Sequence, residues 1–247
     1  MWVCTSMIDI TADGSASSIP APTYAAAMTT RPTLGQETGD KKVFLWVIDW
    51  PGWCRSGKDA DAALASLLAH APRYARVAER AGLELPDLGD GADVHVATRA
   101  SGGGGTDFGV PSEIVEDDRR PVSAVEARRL AALVEAAWAE LDAIAERTPE
   151  TLRKGPRGGG RDRDKMLGHV VEADHAYARE IGIKADAGSL EDRAAVRAER
   201  AAVLEVLGTA SDGAPLAGRR WTLRYAARRI AWHALDHAWE MEDRTEP

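Results

Sequence analysis

The sequence predicts an α+β protein that is mainly α: a small N-terminal α/β unit followed by a C-terminal four-helix bundle. Three observations carry this. The run Val43-Phe44-Leu45-Trp46-Val47-Ile48 is β-branched and aromatic and reads as a buried strand. Beyond Pro121, apolar residues recur at helical spacing in four long stretches. The chain has 247 residues, 45% of them hydrophobic, which is enough for a packed core in one large domain or two small ones.

Residues 1–40 are rich in Ser, Thr, Ala, Pro and Gly and show no sustained apolar period. They are expected to be a disordered N-terminal extension. The segment has neither the basic start nor the continuous apolar stretch of a signal peptide, and translation starting at Met28 rather than Met1 is an alternative reading. Order is expected from Lys42. The strand at 43–48 ends in the turn Asp49-Trp50-Pro51-Gly52. Asp59 then caps a helix from about Ala60 to Ala81, with Leu64, Leu67, Leu68, Ala71, Ala75 and Ala78 on one face. Pro72 should kink or split this helix near Ala71, and Gly82 should stop it. Asp93-Val94-His95-Val96-Ala97 alternates as a second strand within a unit spanning 41–115. The glycine-rich tract at 101–105 lacks the Lys-Ser/Thr of a phosphate-binding loop and reads as a connector.

The bundle is expected over 121–247. Ser123-Ala-Val-Glu126 is a capping box that opens a helix to about Arg147. Gly155 to Arg163 is a basic, glycine-rich loop carrying Lys154, Arg157, Arg161 and Arg163 at or within its borders. A second helix runs from about Asp164 to Ile183, a third from Ser189-Leu-Glu-Asp192 to Gly208, and a fourth from about Leu223 to Asp243.

Composition excludes several classes. No apolar run is long enough to span a membrane. Two cysteines, Cys4 and Cys54, cannot build a disulfide framework, so a reducing cytoplasm is the default. A net charge of −8 argues against a nucleic-acid binder that works by bulk electrostatics. Of the eight Trp, Trp232 and Trp239 lie on a face of the fourth helix turned from its histidines, and so point to a homodimer contact or to cover by the N-terminal unit.

Six histidines occur, and two of them carry the chemistry. His233 and His237 stand one turn apart on the fourth helix, the spacing at which two imidazoles converge on one metal ion. Glu240 follows on the same face, where it would orient a histidine or act as general base; Glu172 and Asp236 are weaker candidates for that work. His169, at the edge of the apolar face of the second helix, is the best third ligand. His70, His95 and His175 read as structural or surface residues. Three histidines hydrogen-bonded within a core, without metal, are the plain alternative.

Gly168-His-Val-Val-Glu-Ala-Asp174 and Ala231-Trp-His-Ala-Leu-Asp-His-Ala-Trp-Glu240 resemble the second- and fourth-helix motifs of the DinB-like superfamily of four-helix bundles, over residues 121–244. The resemblance implies a divalent metal (Zn, Ni or Fe) held by His169, His233 and His237. It further implies a metal-dependent transferase or hydrolase acting on a small molecule, with a low-molecular-weight thiol as cosubstrate. The bulky Ala238-Trp239-Glu240 after the second histidine departs from the Arg-Gly-Gln-like run of many members. Asp49-Trp-Pro-Gly-Trp53, Gly57 and the helix after it resemble the strand–DxPG–helix signature of HicB-like domains, over residues 43–97. That resemblance implies a second function class: a non-catalytic, antitoxin-type interaction module fused to a metal-stabilised bundle. No DNA-binding segment accompanies it.

Overall fold

The structure is a computed structural model, which describes residues 32–91, 94–154, 160–186 and 188–245. The chain is α+β, as expected. Its sheet has four strands in the order β3-β2-β1-β4: β1 (Thr33–Thr38), β2 (Val43–Val47), β3 (Cys54–Gly57) and β4 (His95–Ser101). Strands β1, β2 and β3 form an antiparallel meander, and β4 returns parallel to β1.

β1 corrects the reading of 1–40 as an extension with order from Lys42. Thr33-Leu-Gly-Gln-Glu-Thr38 is a strand bonded on both sides. Its sequence lacks an apolar period because two positions are filled for other reasons. Gly35 lies so close under Trp46 that an added Cβ would stand 2.1 Å from the indole. Glu37 is fully buried, accepting from the Thr106 hydroxyl and from the backbone N–H groups of Ser112 and Glu113. Residues 1–31, and with them the choice of start, lie outside the described residues.

β2 is buried along its whole length. Leu45 and Val47 enter the main core, whereas Phe44 and Trp46 enter a smaller cluster with Cys54, Val115 and Trp232. Burial on both faces explains why its sequence is a continuous apolar run instead of an alternating one. α1 (Ala60–Ala69) is capped by Asp59, whose side chain accepts from Ala62 N–H, and α2 (Ala71–Arg80) follows directly. The split falls at His70, with Pro72 in the first turn of α2, where its missing N–H costs nothing. β4 runs on to Ser101, beyond the expected Ala97; Asp93 lies outside the described residues. α3 (Gly104–Phe108) begins inside the tract expected to be a connector.

The four long helices are α4 (Ala124–Arg147), α5 (Arg163–Glu180), α6 (Arg193–Leu207) and α7 (Leu223–Arg244). α4 has its capping box: the Ser123 side chain accepts from Glu126 N–H, and Glu126 accepts from Ser123 N–H. Contacts run α4–α7, α7–α5, α5–α6 and α6–α4, which closes a four-helix ring. α2 packs on α4, and the turn after β2 packs on α7. One hydrophobic cluster therefore runs unbroken from Leu34, Trp53 and Tyr74 to Leu133, Val170 and Ala234. Trp232 and Trp239 are buried under the N-terminal unit. Phe44 meets Trp232 edge-on at 6.2 Å, and His70 packs on Trp239 at 5.1 Å. Among the described residues no helix is long and apolar enough to cross a membrane.

Candidate metal centre

The three histidines come from two neighbouring helices, α5 and α7. His233 and His237 are separated by one helical turn, so their rings stack along the same face with centroids 4.7 Å apart. His169 enters from α5, 5.1 Å from each. One nitrogen from each ring lies within 4.8 Å of the others. His169 Nε2 and His233 Nε2 are 3.3 Å apart. Two nitrogens held about 2.05 Å from one tetrahedral ion stand about 3.3 Å apart, so this pair already has the separation of two ligands of one metal.

The ring nitrogens pointing away are treated unequally. His237 Nδ1 lies 3.3 Å from Glu240 Oε2 and donates to it, which leaves Nε2 as the ligand nitrogen. Arg244 Nη1 donates to the other Glu240 oxygen at 2.8 Å. This pair of contacts favours the orienting role for Glu240 over that of general base. These hydrogen bonds hold its carboxyl below the usual range, against the opposing effect of burial. His233 Nδ1, by contrast, is buried with no partner.

Burial and nearby positive charge disfavour protonation of His233 and His169. His233 is pushed down to about 2, first by burial and then by His237 and Arg229. His169 is lowered by burial and by the guanidinium of Arg161. Neutral imidazole is the form that binds metal. The donor set therefore fits a divalent ion: nitrogen donors only, one pair at the tetrahedral separation, and three donors in all, as in sites that keep one place open.

The remaining candidates lie elsewhere. Asp236 is drawn to the N-terminal unit by Arg55, at 3.0 Å, and Glu172 is exposed. His175 bonds Glu199 across the α5–α6 seam at 2.7 Å, and His95 is exposed at the start of β4. His70 Nδ1 donates to the α1 backbone carbonyl of Ser66 at 2.8 Å. In the basic loop, Lys154 pairs with Asp162 and Arg163 with Asp164, whereas Arg157 lies outside the described residues. A groove of about 750 Å³ opens on the other side of α5, lined by residues such as Asp142, Glu146, Leu167, Arg193 and Arg197, and none of the three histidines reaches it.

Two residues at the centre escaped the sequence reading. Tyr177 meets the His233 ring edge-on at 5.6 Å. Its hydroxyl accepts from Arg229 Nη2 at 3.0 Å, and the Arg229 guanidinium lies over the rings of Tyr177 and Trp232. Arg229 precedes His233 by four residues, and that spacing on the helix of the histidine pair was the signal available. No family model, curated protein or solved structure matches the chain.

Proposed function

We propose that the protein binds a divalent metal through His169, His233 and His237 and acts as a metal-dependent transferase or hydrolase on a small molecule. A low-molecular-weight thiol is the cosubstrate class. The observation that carries this reading is the approach of His169 Nε2 and His233 Nε2 to 3.3 Å from two different helices. Two neutral imidazoles facing each other through these atoms gain little from a single N–H···N bond in a site that a third imidazole also enters. A shared cation satisfies all three nitrogens. The resemblance to the DinB-like superfamily supplies the reaction class.

When bound, the metal lowers the pKa of a coordinated water or thiol toward neutrality. The chain does the rest. Glu240 fixes the tautomer and ring angle of His237, and Arg244 fixes Glu240. Burial of His233 keeps a proton off a ligand nitrogen and keeps bulk water from one side of the site.

The test is metal analysis of protein purified without a histidine tag, beside His237→Ala, followed by assay of a thiol panel against electrophilic substrates. One equivalent of metal in the wild type, lost in the variant, is expected. Absence of stoichiometric metal would sink the reading.

A second reading, a non-catalytic interaction protein built on the HicB-like unit, draws on β4. This is an edge strand of the sheet, with β1 its one neighbour among the described residues. Extended chain can add at such an edge. Metal without turnover on the thiol panel, and a small protein that copurifies, would favour it.

A further inference from the structure

Around the three histidines, the described residues place cations that exceed their acidic partners. Glu240 is the acid nearest by, and His237 and Arg244 engage it. Arg229 makes no ion pair among the described residues. Its polar contact is the Tyr177 hydroxyl, and aromatic rings cover its faces. Its Nη1 is buried without a hydrogen-bond partner. One turn further along α7, His233 Nδ1 is buried and unpartnered as well. With a metal on Nε2, Nδ1 would carry the proton and be a donor that lacks an acceptor. The Tyr177 hydroxyl accepts from Arg229 and keeps its own hydrogen to give. Two buried nitrogens of one neighbourhood, one of them on a half-buried guanidinium, thus have no partner, and the Tyr177 hydroxyl beside them has a hydrogen to give.

A buried donor left unpaired costs about 1–3 kcal/mol, more for a charged one. A cation with no counter-charge adds to that cost. Arg244, the other arginine close by on α7, differs in charge balance: its Nη2 is also without a partner, but it pairs with Glu240 and donates to the Arg153 carbonyl. The guanidinium of Arg229 is also the group best shaped to take two oxygens of one anion.

We propose that Arg229 and Tyr177 form an oxyanion pocket beside the three histidines, so that the site takes a small molecule bearing a carboxylate or phosphate. The anionic group would sit on Arg229, with the ligand's reacting end toward His169 and His237. This deepens the metal-site reading and rests on it for the role of the reacting end; the anion pocket itself stands on Arg229 and is tested apart from metal.

Calorimetric titration of succinate, and separately of inorganic phosphate, into chelator-treated wild type, Arg229→Gln and Arg197→Gln is the experiment. Arg197 is an exposed arginine on α6, at the groove on the far side of α5. Wild type and Arg197→Gln should bind alike, and Arg229→Gln should bind about tenfold or more weakly, the worth of a charge-assisted bond. The succinate and phosphate arms tell which oxyanion the pocket prefers. No binding of either probe at millimolar concentration overturns the proposal, as does equal binding by Arg229→Gln; in both cases water serves these donors. If Arg229→Gln does not fold, Tyr177→Phe replaces it, with a smaller loss expected and unchanged binding counting against the pocket. Metal content of the wild type is read separately, before chelator treatment. Failure of the metal reading therefore shows as an empty wild-type site, and failure of the anion pocket as indifference to Arg229.

Discussion

Gly52 lies against Leu235: a Cβ on this glycine would stand 2.6 Å from Leu235 Cδ1 and 3.2 Å from the Ala231 Cβ. With φ of +90°, Gly52 also occupies a backbone region that side chains resist. The turn after β2 is thereby pressed onto the helix that carries His233 and His237. Gly52→Ala should combine backbone strain with a clash and lower stability by about 2 kcal/mol or more. Urea denaturation measures this, and a loss below a few tenths would show that the turn has room to shift.

Glu240 orients His237 without entering the ligand set. Glu240→Ala should weaken metal binding about 10- to 100-fold while leaving the fold intact, since its side chain is partly exposed. Competition with a chelator of known affinity reads the change. An affinity equal to wild type would mean that the contact with His237 does not hold the ring.

Asp174 makes a pH-dependent contribution of known sign. Burial raises its carboxyl to about 6, against the pull of Arg200 at 3.2 Å and of Trp138. Its ordinary value is about 3.9, so between about pH 4 and pH 6 the folded state holds more protons than the unfolded one. Stability from this group therefore falls as pH rises through that window and is flat above it. Asp174→Asn should remove that downward component. Comparing unfolding free energies of the two proteins across the window is the check, and parallel curves would refute it.

Glu140 on α4 is 1% exposed and accepts from Arg76 Nε at 2.6 Å and Arg80 Nε at 2.9 Å, both from α2. The asymmetry of exposure fixes the order of costs. Removing both arginines strands a buried carboxylate, and the Arg76→Ala/Arg80→Ala pair should cost about 3–5 kcal/mol. Glu140→Leu should cost less, because the half-exposed guanidiniums regain water. Thermal denaturation ranks the two, and the reverse order would place the stabilisation in the arginine stems.

What was legible in the sequence was whatever a single element encodes. The Ser123–Glu126 box, the split at Pro72 and the one-turn spacing of His233 and His237 are local, and the chain keeps all three. β1 was hidden because, beside Leu34, its buried positions are Gly35, shaped for Trp46, and Glu37, held by a loop more than 60 residues away. No periodicity encodes either. Arg229 and Tyr177 were hidden for a related reason: each is unremarkable on its own helix, and their meaning lies in the α5–α7 seam. His169 could be proposed as a ligand, but its approach to His233 depends on how those two helices pack.

The burial of β2 on both faces has a thermodynamic consequence. Its outer face is closed by Trp232, the residue next to His233, and its inner face joins the core that α7 helps to build. Sheet and histidine-bearing helix then share one melting event, and any ligand that grips the histidines raises the temperature at which the hairpin frays. A weakening substitution in Phe44 or Leu45 would be felt, far from the imidazoles, as a loss of apparent metal affinity.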